Sequence, residues 1–100
     1  MTRIGQRRTE LDTPALWVDL AALGANMGRM AGDCRAAGVR WRPHVKGIKV
    51  PAIAHLALAA GAMGVTCAKV GEAEVMAAAG IRDLLIANQV VGATKIDRLT

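Results

Sequence analysis

Short apolar runs alternate with helical stripes about every 20 residues along the chain. That alternation restricts the fold more than any other feature. Residues 15–18, 39–46, 65–68 and 84–87 read as strands. Between the first two, Leu23, Met27, Met30, Cys34 and Ala37 recur at helical spacing and form one apolar stripe. Asp19 is placed to cap that helix, because a short acceptor side chain satisfies free backbone N–H groups. Gly38 is placed to end it. Residues 51–60 predict a second helix, with Pro51 where a missing N–H costs little and Gly61 as the stop. A third helix is expected over 72–79, ended by Gly80, and a fourth starts at Ala93. Repeated strand–helix units imply right-handed crossovers and a parallel sheet. The wholly apolar run 84–87 fits a strand buried on both faces. An open doubly wound sheet and a (β/α)8 barrel both satisfy this pattern. No G-x-G-x-x-G follows the first strand and no Walker-type loop is present, which weakens the nucleotide-binding open sheet.

Length and composition narrow the function classes. The chain has 100 residues, whereas a complete eight-unit barrel needs about 250. A barrel is therefore expected only as its opening portion. Apolar residues make up 53% and charged residues 21%, which excludes disorder. The aromatics are Trp17 and Trp41, so Ala, Val, Leu, Ile and Met must build the core. The net charge is +5, but the basic residues are scattered and do not interleave with aromatics, so nucleic acid is not an expected partner. The uncharged stretch 50–68 is broken by Pro51, His55, Gly61 and Gly64, so no membrane span is expected. Arg3, Arg7 and Arg8 are followed by Glu10 and Asp12 rather than an apolar run, which argues against a signal peptide. Residues 1–13 read as a flexible lead-in, and 14–100 as the βα units. Cys34 and Cys67 match no metal spacing and read as buried free thiols in a reducing cytoplasm.

The chemistry-bearing stretch is Arg40-Trp41-Arg42-Pro43-His44-Val45-Lys46-Gly47-Ile48-Lys49. An inner strand should be continuously apolar, yet strand periodicity puts Arg42, His44 and Lys46 together on one face. Pro43 has no N–H for the ladder, so pairing is expected to begin only after it. Lys46 falls at a strand's carboxyl end, where parallel α/β proteins bind ligands. A partly desolvated lysine there offers the neutral amine that Schiff-base chemistry requires. The plainer alternatives are a lysine reaching solvent and a hydrogen-bonded core histidine. Lys69, Asn88 and Gln89 lie at later strand ends and either line the mouth of the same site or are ordinary loop residues. Glu72 and Glu74 open a helix, where negative charge suits the dipole.

Three segments carry a resemblance: Leu11-Asp12-Thr13-Pro14-Ala15-Leu16, Arg42-Pro43-His44-Val45-Lys46, and Gly64-Val65-Thr66-Cys67-Ala68-Lys69-Val70-Gly71-Glu72-Ala73-Glu74. From about residue 11 to 100 the chain resembles the D-threonine aldolase and D-serine dehydratase-like family. These are fold-type III enzymes dependent on pyridoxal 5′-phosphate, related to the N-terminal domain of alanine racemase. The resemblance implies the N-terminal portion of a pyridoxal-phosphate-binding (β/α)8 barrel. Its first barrel strand would end at Lys46, and the strand around Trp17 would pair instead with a C-terminal β domain. In that family the lysine after Arg-Pro-His-x forms the Schiff base with the cofactor, and it corresponds to Lys46. His44, Arg42 and Asn88 are then the candidate cofactor neighbours. Lys49 suits solvent or a phosphate neighbour better than covalent attachment. Gly47-Ile48 departs from the family's usual Lys-Thr-x-Lys and removes a hydroxyl beside the cofactor, which bears on substrate preference.

The implied activity is a lyase acting on small D-3-hydroxy amino acids. Aldol cleavage to glycine and an aldehyde comes first, with dehydratase or racemase chemistry as alternatives and a non-catalytic α/β piece as a further one. The resemblance also implies a divalent metal, manganese or zinc. Its ligands would lie outside this chain, so none of these residues is assigned to it. A homodimer is expected for the full-length protein. With the run 84–87 left as an apolar edge, the 100 residues alone are expected to be inactive and prone to aggregate.

Overall fold

A strand exists only where its backbone groups find partners, and that condition decides which expected strands form. In the computed structural model, residues 4–100 are described; Arg3 of the basic lead-in lies outside them. Two strands pair in parallel, β1 (Val65–Cys67) and β2 (Leu84–Ile86), with Thr66 opposite Leu85. Segment 41–45 runs along the other edge of β1 with a single parallel bridge, His44 to Thr66. Its bonds are few but well placed. The Thr66 N–H donates to Pro43 O at 2.8 Å, and the Val45 N–H donates to Thr66 O at 2.9 Å. Pairing at His44, after Pro43, follows the expectation from the missing proline N–H. The full strand expected over 39–46 does not form, because regular pairing stops where the chain turns at Lys46. Residues 15–18 are not a strand either. Trp17 instead lies under the Arg8 guanidinium, 4.7 Å from its ring centre, beside a short 3-10 turn at Arg8–Glu10.

The helices follow their capping residues closely. Helix α1 (Leu20–Ala36) starts with the Asp19 side chain accepting the Ala22 N–H at 3.0 Å. It ends at Gly38, whose positive φ lets the Val39 N–H reach Cys34 O and its own N–H reach Arg35 O. Helix α2 (Pro51–Ala60) has the bounds expected from Pro51 and Gly61. Helix α3 (Val70–Ala78) begins two residues earlier than predicted, and α4 covers Ala93–Asp97. The uncharged stretch 50–68 is divided between α2 and β1, and no helix among the described residues is long and apolar enough to cross a membrane.

The apolar stripe on α1 is shifted from its expected position. Met30 is 49% exposed and Ala37 is exposed, while Ala31 is the buried residue. Ala31 faces the end of α2, where a methyl group on Gly61 would lie 3.6 Å from the Ala31 Cβ, an ordinary van der Waals distance. The main core lies between the sheet and helices α2 and α3. Val45, Ala54, Val65, Cys67, Ala73, Met76 and Ile81 form it, with Leu58, Leu84 and Ile86 against its edge. His55 ties α2 to the end of α3 by donating from Nε2 to Ala79 O at 2.8 Å. Strand β2 is not buried on both faces: Leu85 is 48% exposed, because β1 is its sole partner among the described residues.

The result is a flat slab of 46 × 40 × 20 Å with a radius of gyration of 15.9 Å. A closed domain of this length would have about 13 Å. The slab's thinness leaves Leu16, Trp17, Leu20, Val39, Leu56, Leu85 and Val91 in solvent. The 100-residue chain expressed by itself should therefore self-associate in sedimentation velocity, and a monodisperse monomer would contradict this. A second expectation concerns Gly64. A Cβ there would fall on the Asp83 carbonyl oxygen and within 2.7 Å of Arg42 Nη1. In the full-length protein Gly64→Ala should lower stability by about 1–3 kcal/mol, read as an earlier denaturation midpoint; an unchanged midpoint would show that the backbone yields there at no cost.

Candidate active site

The parallel register brings three chain ends to one edge of the sheet. The His44–Thr66 bridge and the Cys67–Ile86 pair set Lys46, Ala68 and Asn88 at or just beyond the carboxyl ends of segment 41–45, β1 and β2. Lys46 opens a tight turn. Its backbone N–H donates to His44 Nδ1 at 3.2 Å, and the N–H groups of Ile48 and Lys49 both reach Val45 O. Because Nδ1 accepts, the neutral His44 ring carries its proton on Nε2. The Lys46 side chain is exposed, and no ion pair among the described residues engages its amine. The desolvation expected of this lysine is thus not supplied by the residues described here.

Asn88 braces the neighbouring strand ends. Its side-chain amide donates to Ala68 O at 3.1 Å, and its Oδ1 accepts the Gln89 N–H at 2.9 Å. Asn88, Gln89 and Lys69 border a cleft of about 340 Å³ that continues past Gly71 to Lys95. Lys69 also borders a second cleft of about 260 Å³ with Lys49, Glu72 and Met76. The edge is therefore rich in lysine, with one carboxylate set among the amines.

Arg42 is directed away from this edge. Its guanidinium pairs with Asp83 at 2.6 Å and reaches Asp83 O at 3.3 Å, at the amino end of β2. The shared face expected for Arg42, His44 and Lys46 holds for a regular strand. Segment 41–45 is irregular, and the long arginine side chain runs back to the opposite end of the sheet.

Among the described residues no group of three or more His, Cys, Asp and Glu is placed to hold a metal ion. No protein-family model matches the chain. Among curated proteins it is 45% identical to a D-threonine aldolase of Arthrobacter sp. over 92 residues, covering 92% of this chain and 24% of that one. The crystal structure of D-threonine aldolase from Filomicrobium marinum superposes with a TM-score of 0.86 at 54% identity, covering 89% of this chain and 24% of that one. A variant of D-threo-3-hydroxyaspartate dehydratase, solved in a metal-free form, gives 0.83 at 41% identity, covering 90% and 24%. The chain is homologous to D-threonine aldolases and hydroxyaspartate dehydratases. It spans about a quarter of the length of these relatives.

One acidic residue at this edge does more than favour a helix dipole. Glu72 was expected to serve only the dipole of α3. It lies at the third position of that helix and is buried, with Oε2 accepting the Ala68 N–H at 2.7 Å and Oε1 3.7 Å from Lys49 Nζ. A glutamate at the third helical position can reach back to a free N–H before the helix, as in one half of a capping box. Lys69 does not supply the other half, so the sequence carried no full signal for this contact. The Ala68 N–H holds the Glu72 carboxyl below the usual glutamate range, aided by Lys49 and Lys69 and opposed by burial. Cys34 and Cys67 are both free thiols; burial, with a smaller push from Glu72, raises the Cys67 thiol, which disfavours its thiolate. Glu74 is also held low, first by its two hydrogen bonds from Arg98, which tie α3 to the end of α4.

A folded-state pKa below the unfolded one adds stability above the unfolded value, and that stability disappears as pH falls through the folded value. Denaturation midpoints of the full-length protein should therefore drop on the acid side of the usual glutamate range. Glu72→Gln should make that drop shallower; an identical acid limb would show that this carboxylate is not linked to folding.

Proposed function

We propose that this chain is the lysine-bearing portion of a lyase that uses pyridoxal 5′-phosphate to cleave D-3-hydroxy amino acids, with D-threonine aldolase chemistry foremost. One observation carries the reading. In a chain 54% identical to a solved D-threonine aldolase, a primary amine stands in the turn just past segment 41–45, which is bridged in parallel to β1, with its backbone fixed by His44 Nδ1. The parallel order of segment 41–45, β1 and β2, each followed by a helix, supports the opening of a (β/α)8 barrel. The donor set fits the cofactor: an exposed amine with no ion pair among the described residues suits a carbonyl group, and lysines along the edge suit a phosphate.

Lys46 would hold the cofactor through its amine. His44 keeps Lys46 at the strand end by accepting its N–H, and Asn88 keeps the ends of β1 and β2 in register beside it. Arg42 takes part as a brace, pinning the amino end of its segment to Asp83 rather than touching the cofactor. Bound pyridoxal phosphate supplies an electron sink for the pair left at the substrate Cα. A lysine amine in its neutral form also serves to accept or return a proton at that carbon. Residues from the rest of the protein would have to cover Lys46 and exclude water, since this chain leaves it exposed. A divalent metal, manganese or zinc, fits the relative solved in a metal-free form, and its ligands would come from outside this chain. A cytoplasmic homodimer acting on small D-amino acids completes the proposal; the two free thiols suit that compartment.

The likeness to a dehydratase favours a second reading, loss of water from the same substrates. Both readings share Lys46 and separate by product. The full-length protein with manganese should release glycine from D-threonine, and Lys46→Ala should abolish both the visible absorbance of bound cofactor and the turnover. Pyruvate from D-serine without glycine from D-threonine would select the dehydratase. A visible band that survives Lys46→Ala would overturn the assignment of Lys46.

A further inference from the structure

Glu72 places a buried carboxylate beside the turn that presents Lys46, and its two oxygens face different elements. Oε2 accepts the Ala68 N–H at the end of β1, while Oε1 faces Lys49 Nζ at 3.7 Å. Lys49 closes the turn 46–49. It is the one described residue other than glycine with positive φ, at 59°, a conformation that lysine rarely adopts without support from its surroundings. The turn is wound around Val45 O, which accepts from Ile48 at 3.3 Å and from Lys49 at 2.8 Å. One end of the turn is therefore held by His44 and the other by Lys49, whose side chain is the link to α3.

We propose that Glu72 is a positioning residue for Lys46, acting through Lys49 to fix the turn that carries the reactive amine. This rests on reading Lys46 as the cofactor lysine. The Glu72–Lys49 pair is long and its lysine is more than half exposed, so it adds little to overall stability. Its effect lies in where the turn sits. Capping and positioning separate cleanly by substitution. Glu72→Gln leaves a carbonyl oxygen for the Ala68 N–H but removes the charge that faces Lys49. Lys49→Met keeps the apolar stem and removes the amine.

The test uses the full-length protein, stripped of cofactor and titrated with pyridoxal 5′-phosphate, with hydrogen exchange followed at the amides of Ile48 and Lys49. Glu72→Gln and Lys49→Met should each weaken cofactor binding about 3- to 10-fold and speed that exchange, and the double variant should be no worse than either single one. At neutral pH Lys49→Met should keep a thermal midpoint close to the parent's, and Glu72→Gln should lose only the modest increment that its acid limb reports. Parental cofactor affinity and exchange in Glu72→Gln, or effects that multiply in the double variant, would overturn the proposal and leave Glu72 as a helix cap. Lys46→Ala is the control for the underlying reading. If its visible band persists, that reading fails, while the exchange of Ile48 and Lys49 still decides the link between Glu72 and the turn.

Discussion

Two backbone bonds at Thr66 determine where the chemistry can be. The Thr66 N–H takes Pro43 O and Thr66 O takes the Val45 N–H, so the register of segment 41–45 against β1 is set at a single residue. A slip by one residue would exchange the two faces of the segment. Val45 would leave the core and the turn at Lys46 would move away from the strand ends. Thr66 is held in place by what surrounds it. Val65 and Cys67 on either side are fully buried against Met76 and Ile81, and β2 pairs along the far edge. The site therefore depends on β1 being packed on both sides before Lys46 has any defined position.

Much of this was legible in the sequence, and the reason is local. Helix α2 has the bounds that Pro51 and Gly61 suggest, and Asp19 and Gly38 frame α1, because caps are written in adjacent residues. The parallel order of β1 and β2 followed from the alternation of apolar runs and helices. The irregular segment before Lys46 was legible because three charged or polar residues interrupt a run that should be apolar. What failed was everything that depends on distant partners. Residues 15–18 have strand composition but pair with no strand among the described residues. Met30 fits the periodicity of α1, yet it is Ala31 that faces α2 at Gly61. Asp83 lies 41 residues from Arg42, and nothing near either residue announces their contact.

The two acidic residues at the start of α3 show how a correct local reading can still be incomplete. Both do sit where the helix dipole favours them. Glu74 spends its charge on Arg98 beyond α4, and Glu72 faces a strand end and a lysine from the previous βα unit. The same physical preference placed both side chains, and different neighbours then gave them different tasks. Sequence shows the preference; the neighbours come only with the fold.

Arg42 and Lys46 are four residues apart on one short segment, yet they work at opposite ends of the sheet. The segment behaves as a strut with an anchor at its foot and an exposed amine at its head. Parallel α/β folds commonly divide stability and catalysis between the two ends of their strands. Here both ends are reached from a single five-residue stretch. Changes at the head, at Gly47 or Ile48, leave the Arg42–Asp83 anchor at the foot untouched. The turn can thus vary while the register stays fixed.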